Sequence, residues 1–178
     1  MKDNTMALAS VVLAGLLVTA ALSDIRARRV SNRLNLMVLI GGLVTSLALH
    51  GVPSGIGFAL GGVGVALAVW FPMFAVRLMG AGDVKLLAAA GAWLGWQGTL
   101  AASLATGVFG GILGALWLLR TQGTLSAVHS VATAIRAPWL LKMRPFEPRE
   151  RIPYAVAIAA GVATAWYLLH GVSMVGGR

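Results

Sequence analysis

Two carboxylates, Asp24 and Asp83, lie inside the apolar part of this sequence, whereas the other three acidic residues do not. Asp3 is close to the N-terminus, and Glu147 and Glu150 fall within one basic loop. A carboxylate at membrane depth costs roughly 2.5–3.5 kcal/mol on insertion scales, so an acid within a membrane span is a functional candidate by default. Asp24 and Asp83 are therefore the first candidates for chemistry.

Two carboxyl groups that meet in one pocket can activate water for attack on a peptide bond. They cannot both ionise cheaply at short range, so one keeps a proton while the other acts as a general base. The charged member takes a proton from water, and the protonated member donates a hydrogen bond to the scissile carbonyl oxygen. Asp24 and Asp83 are accordingly predicted to be the catalytic pair of an aspartic protease.

The residues around Asp83 favour this interpretation. Asp83 ends a Gly-x-Gly-Asp box, in which Gly80 and Gly82 would let a substrate backbone come close. We expect Asp83 to cap the helix that follows, where the N-terminal amides favour an anion. Lys85 is either a counter-charge for Asp83 or a substrate, or an anchor at the membrane interface. No metal or cofactor is implied, since the three histidines lack metal-ligand spacing and cysteine is absent.

The composition predicts that a bundle of membrane helices holds these residues. The 178 residues are 58% hydrophobic and only 11% charged, whereas a soluble domain carries about 25% charged residues. We expect an all-α polytopic membrane protein that forms a single domain over residues 1–178, with a short interfacial cytoplasmic helix. Six transmembrane helices are predicted, over residues 6–23, 34–50, 55–76, 84–96, 99–119 and 153–170.

The fourth predicted span is too short for a bilayer. Residues 84–96 form a helix of about 20 Å, whereas the apolar core of a bilayer is about 30 Å thick. Non-helical backbone at this depth is tolerated only where protein buries it or where it lines a wet cavity. We therefore expect a water-accessible pocket beside the glycine-rich turn.

The charges predict the orientation. Apart from Lys2 and Arg178, all Lys and Arg residues lie in or at the edges of the loops after the first, third and fifth spans. The positive-inside rule places these loops in the cytoplasm and both termini outside, so Asp24 and Asp83 share the cytoplasmic side. The loop over residues 120–152 is predicted to hold the interfacial helix, over residues 125–135. The net charge of +9 is thereby assigned to orientation and not to nucleic-acid binding.

Two further features, the end of the first span and the spacing of the glycines, are interpreted without a catalytic role. A cleavable signal peptide ending at Ser23 is disfavoured, because the arginines that follow would have to cross the membrane. The spacings Gly57-x-x-x-Gly61, Gly107-x-x-x-Gly111 and Gly110-x-x-x-Gly114 let helices approach closely, and we assign them to packing within the bundle.

Three stretches occur in order at the edges of the predicted spans. In residues 23–32 Asp24 precedes a basic run, residues 80–85 read Gly-Ala-Gly-Asp-Val-Lys, and residues 151–161 hold Pro-Tyr and an apolar run that ends in glycine. In this combination the sequence resembles the type IV prepilin peptidases, which are GxGD membrane aspartic proteases. Its compact form is similar to the short peptidases of tight-adherence (Flp) pilus systems.

The resemblance implies an aspartic endopeptidase of the bacterial inner membrane that serves pilus biogenesis and protein secretion. Its substrates would be prepilin or pseudopilin chains, whose basic leader is removed on the cytoplasmic side. The catalytic aspartates of the family map onto Asp24 and Asp83. Larger members carry a cytoplasmic region with paired cysteines that supports N-methylation, so the short first loop and the lack of cysteine imply no methyltransferase activity. Ser31 replaces the usual proline of the family, and we expect it to cap the second helix.

Two other functions stay open on the sequence alone. A small proton-coupled transporter would use Asp24 and Asp83 as a relay, although both acids lie at predicted span edges and no clear inverted repeat is visible. A non-catalytic assembly subunit of an envelope machine would use the glycines for helix contacts. Cleavage of a leader-bearing pilin would separate a peptidase from both.

Overall fold

The computed structural model describes residues 2–27, 30–75, 79–122 and 154–171, and every regular element in these ranges is helical. This confirms the all-α prediction. The predicted interfacial helix over residues 125–135 lies outside the described residues. The helices are α1 (Lys2–Ala27), α2 (Asn32–His50), α3 (Val52–Ala75), α4 (Ala81–Gln122) and α5 (Tyr154–Trp166), and a π-helical turn (Tyr167–Gly171) follows α5.

Four of the described helices are long and apolar enough to cross a membrane, namely Asn4–Ala27, Asn32–His50, Val52–Ala75 and Ala81–Trp117. Tyr154–Leu169 is a shorter apolar helix. Many of their large aliphatic side chains, such as those of Leu60 and Leu104, are mostly exposed. Such an apolar surface suits lipid and not water, so this is a membrane protein. Four long helices and one shorter helix in the described ranges do not by themselves confirm the predicted number of six spans.

The helix boundaries differ from the predicted ones by a few residues. The first span, for example, is predicted to end at residue 23, whereas α1 continues through Asp24 to Ala27. A helix end is set by the backbone partners that its last carbonyl groups find in three dimensions, which hydropathy alone does not report.

α4 consists of two arms, residues 81–94 and 96–122, that meet at Gly95. Gly95 has φ 65° and ψ −176°, a conformation that glycine adopts without steric strain. The Thr99 hydroxyl lies 3.5 Å from the carbonyl oxygen of Gly91, eight residues earlier, whereas a straight helix would separate such residues by about 12 Å. The chain therefore turns sharply at Gly95. The turn falls close to the predicted boundary between the fourth and fifth spans.

The short arm of α4 forms the centre of the bundle. All residues from 86 to 95 are buried, and most are Ala, Gly or Leu. The Trp93 indole N–H donates to the Val38 carbonyl of α2 over 2.7 Å. The Ser46 hydroxyl of α2 donates to the Ala92 carbonyl, also over 2.7 Å. Close packing and hydrogen bonds between helices therefore hold the short arm against α2, as is usual inside membranes.

α3 and the short arm of α4 meet backbone to backbone at Gly62 and Gly91. A Cβ on Gly62 would overlap the Gly91 carbonyl. Among the glycines singled out by spacing, Gly110 is closely packed, since a Cβ there would overlap the Tyr154 hydroxyl, whereas a Cβ on Gly57, Gly107 or Gly111 would meet no described atom within 4 Å. For these three glycines, the predicted packing within the bundle is therefore wrong as far as the described residues extend.

We expect Gly62→Ala to lower the melting temperature of the detergent-solubilised protein by several degrees. Overpacking costs about 1–3 kcal/mol, and here the added methyl group would meet backbone, which cannot change rotamer. Gly57→Ala on the same helix is the matched control and should melt at or slightly above the native temperature, because alanine favours helix by about 1 kcal/mol over glycine. Equal melting temperatures for the two variants would contradict the backbone contact.

Candidate active site

Asp24 lies in the last turn of α1 and is only 6% exposed. Its Oδ2 accepts a hydrogen bond of 3.0 Å from the N–H of Ala155, the second residue of α5. The first N–H groups of a helix have no partner within the helix and carry the positive end of its dipole. The start of α5 therefore binds the Asp24 carboxyl group.

Asp83 lies in the first turn of α4 and is partly buried. The helix begins at Ala81, so Asp83 is its third residue and not the N-cap residue that was predicted, although it does lie in the first turn, where the N-terminal amides favour an anion. The N–H groups of Asp83 and Val84 both point at the Gly80 carbonyl, at 3.2 and 3.3 Å. This tight turn starts the helix at Ala81, before the predicted start at residue 84.

Gly80 leaves space for the Asp83 carboxyl group. A Cβ on Gly80 would lie 3.1 Å from Asp83 Oδ2, which is closer than ordinary van der Waals contact. A larger residue at position 80 would therefore push the carboxyl group aside. Gly80 itself is exposed, so the turn is open to an approaching chain.

Tyr154 brings the two aspartates into relation. It immediately precedes Ala155, and its hydroxyl lies close enough to the Asp83 carboxyl group for the two to interact electrostatically. Two neighbouring residues at the start of α5 thus face one aspartate each. The backbone N–H of Ala155 binds Asp24, and the side chain of Tyr154 is within electrostatic range of Asp83. The structure brings Asp24 and Asp83 to the same end of the bundle.

Other helices hold the Tyr154 ring in place. The ring lies edge-on to Trp70 of α3, with 6.5 Å between the ring centroids and 67° between their planes. Its hydroxyl packs over Gly110 on the long arm of α4, where a Cβ would overlap it. The sequence contains Tyr154 only as part of the Pro-Tyr stretch and gives it no role, because its relation to Asp83 arises from helix packing.

The start of α2 contacts the Gly-x-Gly-Asp turn through two asparagines. The amide nitrogen of Asn35 donates to the Gly82 carbonyl over 3.3 Å. Lys85 is exposed, and its ammonium group donates to Asn32 Oδ1 over 3.3 Å. Lys85 therefore ties α4 to α2, a contact that neither of its predicted roles includes.

Ser31 caps α2 as predicted. Its hydroxyl accepts a hydrogen bond of 3.2 Å from the Leu34 N–H, and its carbonyl accepts one of 3.2 Å from the Asn35 N–H. Its φ of −70° and ψ of 144° lie in the extended region, within the range of φ that proline can adopt. Either residue type can therefore start this helix.

A cavity of about 200 Å³ lies at the opposite end of the helices from Asp24 and Asp83. His50 on its wall stacks on Phe58, with 4.4 Å between the ring centroids. This cavity is distinct from the water-accessible pocket that the sequence predicts beside Gly82, which stays a prediction. Within the described ranges, no group of three or more His, Cys, Asp or Glu side chains could hold a metal ion.

Comparison with known proteins gives a consistent family. The profile of the type IV leader peptidase family matches residues 11–115, which include both aspartates. The chain is 34% identical over 169 residues to the prepilin leader peptidase/N-methyltransferase of Aeromonas salmonicida (strain A449), which is 90% of this chain and 52% of that protein. It is 35% identical over 130 residues to the Escherichia coli (strain K12) protein of the same name, which is 68% of this chain and 54% of that protein.

This chain spans about half the length of these curated relatives. A third protein of the same name, from Xanthomonas campestris pv. campestris, is 35% identical over 114 residues, 61% of this chain and 40% of its own length. No solved structure matches the chain. The comparisons therefore concern sequence, and the arrangement of the site rests on the geometry described above.

The Ser31 cap predicts different effects for two substitutions. Ser31→Ala removes the side-chain acceptor of the Leu34 N–H and should destabilise the protein by about 0.5–2 kcal/mol. Ser31→Pro also removes it but fixes φ near its native value and restricts the unfolded chain, so it should recover part of the loss. Chemical denaturation in detergent measures both, and a proline variant less stable than the alanine variant would contradict the conclusion that proline fits at position 31.

Proposed function

Because the chain belongs to the type IV leader peptidase family, we propose that it is a membrane-embedded aspartic endopeptidase that cleaves the leader from prepilin-like proteins. The observation that carries this proposal is the convergence of two acids on the start of α5. The Ala155 N–H donates to Asp24, and the Tyr154 hydroxyl lies within electrostatic range of Asp83. A helix bundle has no structural need for two acids at one end, since each adds an insertion penalty.

In the proposed mechanism the two carboxyl groups share one proton and titrate as a unit. The ionised member removes a proton from a water molecule, whose oxygen attacks the carbonyl carbon of the scissile peptide bond. The protonated member donates a hydrogen bond to the carbonyl oxygen, where negative charge develops. When the carbon–nitrogen bond breaks, the leaving amine takes up a proton from the pair, and two chains with free termini result.

The exposed turn at Gly80 is the proposed place of approach for the substrate chain. Gly80 and Gly82 present backbone without side chains, so an extended peptide could lie beside Asp83. The relatives are named prepilin leader peptidases, and we propose a prepilin or pseudopilin with a basic leader as the substrate of this chain too. The apolar part of such a substrate would lie in the bilayer beside the exposed aliphatic side chains.

We further propose six spans, with the arms of α4 as the fourth and fifth. Asp83 and Gly110 would lie about 40 Å apart in a straight helix, yet the Tyr154 hydroxyl packs over Gly110 and is within electrostatic range of Asp83. The two arms therefore run side by side. Together with the charge distribution, this supports an inner-membrane protein with the two aspartates on the cytoplasmic side and both termini outside.

The decisive test replaces each aspartate by asparagine. Asp24→Asn and Asp83→Asn should each slow cleavage of a leader-bearing pilin in proteoliposomes by about 10³-fold or more, because an amide cannot take a proton from water. Initial rates are measured from the mobility shift of the cleaved pilin.

Asp3→Asn is the matched control for these variants. Position 3 belongs to the same helix as Asp24 but lies about 30 Å away along it, so this variant should cleave at the native rate. Native activity in either of the other two variants, with native melting temperatures, would end the proposal. Proton uptake by liposomes that contain the protein, without any cleavage, would favour the transporter.

We also propose that this chain cleaves without methylating the new N-terminus. It contains no cysteine, and only residues 28–31 separate α1 from α2. With S-adenosylmethionine present, the mature pilin should therefore show no added methyl group by mass spectrometry. The Aeromonas salmonicida relative, whose name includes N-methyltransferase, is the positive control. A methylated product from this chain would refute the expectation.

A further inference from the structure

Asn35 is a buried amide that the proposed mechanism does not use. It is 6% exposed, and its nitrogen donates to the Gly82 carbonyl over 3.3 Å. A carbonyl oxygen only accepts hydrogen bonds, so the orientation of the Asn35 amide is fixed. Its oxygen, Oδ1, is then buried, and it finds no hydrogen-bond partner among the described residues.

The packing of the helices does not explain this asparagine. A buried acceptor without a partner destabilises a folded protein, whereas an apolar side chain of similar size would not. The Gly82 carbonyl does not depend on Asn35 either, because it lies inside α4, where each carbonyl accepts from the N–H four residues later. A buried amide whose oxygen has no partner among the described residues, and whose nitrogen binds the residue before Asp83, points to a role in the adjacent site.

We infer that Asn35 is a positioning residue for Asp83, an inference that rests on the proposed function of the site. Gly82 directly precedes Asp83, so the bond from Asn35 fixes the peptide unit that carries the catalytic side chain. Gly82 lies in the first turn of α4 and Gly80 just before it, and glycine at a helix end holds its conformation less firmly than other residue types. The hydrogen bond from Asn35 restricts this motion, because it ties the first turn of α4 to α2.

α2 is a suitable reference for this purpose because both its start and its middle are tied down. Ser31 caps its first turn, and the Trp93 indole binds the carbonyl of Val38. One turn of helix separates Asn35 from each of these two contacts. A shift of Asp83 relative to α2 would therefore require the bond between Asn35 and Gly82 to break.

The first test is Asn35→Leu, which keeps the volume and removes the amide. We expect kcat for pilin cleavage to fall about ten- to a hundredfold, because misplacement of a catalytic group by about 1 Å has effects of this size. KM should be unchanged, and the melting temperature should not fall, because leucine places no polar oxygen in this buried position. A lower melting temperature with native kcat would show a merely structural residue and overturn the inference.

Thr106→Val is the matched control. Thr106 is fully buried on the long arm of α4, and its hydroxyl also has no hydrogen-bond partner in the described part of the chain. It packs against Gly161 of α5 and touches neither aspartate in the contacts described. Its removal should leave kcat at the native value. An equal loss of kcat in both variants would show that any change of a buried polar group has this effect, and it would overturn the inference.

Asn35→Asp gives a second, pH-dependent readout. The new carboxyl group can donate to the Gly82 carbonyl only while protonated, and its ionised form would repel both that oxygen and Asp83. The ratio of variant to native kcat should therefore rise at least tenfold as the pH is lowered, and a flat ratio would overturn the inference. The charged and ionisable side chains on the adjoining helices, Asp24, Arg33, Asp83, Lys85 and Tyr154, are present in both proteins, so the ratio reports the difference that a carboxyl group at position 35 makes.

Hydrogen exchange separates this inference from the proposed function. Backbone amides of residues 80–86 should exchange faster in Asn35→Leu than in the native protein, whereas residues 157–165 of α5 should not change. If the native protein cleaves no pilin, the proposed function fails, while faster exchange at residues 80–86 still supports the positioning role. Native exchange in the variant contradicts that role whatever the protein cleaves.

Discussion

The hydrogen bond between the Ala155 N–H and the Asp24 carboxyl group determines how the helices meet at this end of the molecule. A helix start with open N–H groups and a carboxyl group are each unfavourable in an apolar medium when they stand alone. When they bind each other, the N–H group and the carboxyl group each gain a hydrogen-bond partner. The last turn of α1 must therefore lie against the first turn of α5, although 131 residues separate the two partners in sequence. Tyr154 then extends this junction to Asp83 on α4.

Different contacts hold the two helices that carry the aspartates. The short arm of α4, which carries Asp83, is held against α2 and α3 by Trp93, by Ser46 and by the contact between Gly62 and Gly91. α1, which carries Asp24, is held to α5 by a 3.0 Å hydrogen bond between the Trp166 indole and the Ser10 hydroxyl. The two acids thus lie on helices that are held by different contacts and that meet at Tyr154 and Ala155. The separation of the carboxyl groups depends on how α5 packs against α1 and α4.

Much of this architecture can be predicted from the sequence, because insertion cost and the length of an apolar run depend only on the order of residues along the chain. Insertion costs single out Asp24 and Asp83, and the apolar runs predict the helices in order. The spacing of glycines shows that Gly57 and Gly61 share a helix face but not what that face meets, so it does not predict the packing contact at Gly62. The roles of Tyr154 and Asn35 cannot be predicted from the sequence for the same reason, since each role depends on which residue of another helix lies opposite.

The length of the short arm gives a physical reason why the site needs these additional partners. Trp96 directly follows the turn at Gly95 and is 54% exposed, as suits a side chain at the membrane interface. From there the arm reaches only about 20 Å back to Asp83, against an apolar core of about 30 Å. In the proposed arrangement of spans, the first turn of α4, which carries Asp83, therefore lies below the opposite membrane surface, at a depth where an acid is stable only beside polar partners or water. Tyr154, the exposed turn at Gly80 and the amide of Asn35 supply a polar environment there, so the same shortness that buries the acid also explains why polar groups gather around it.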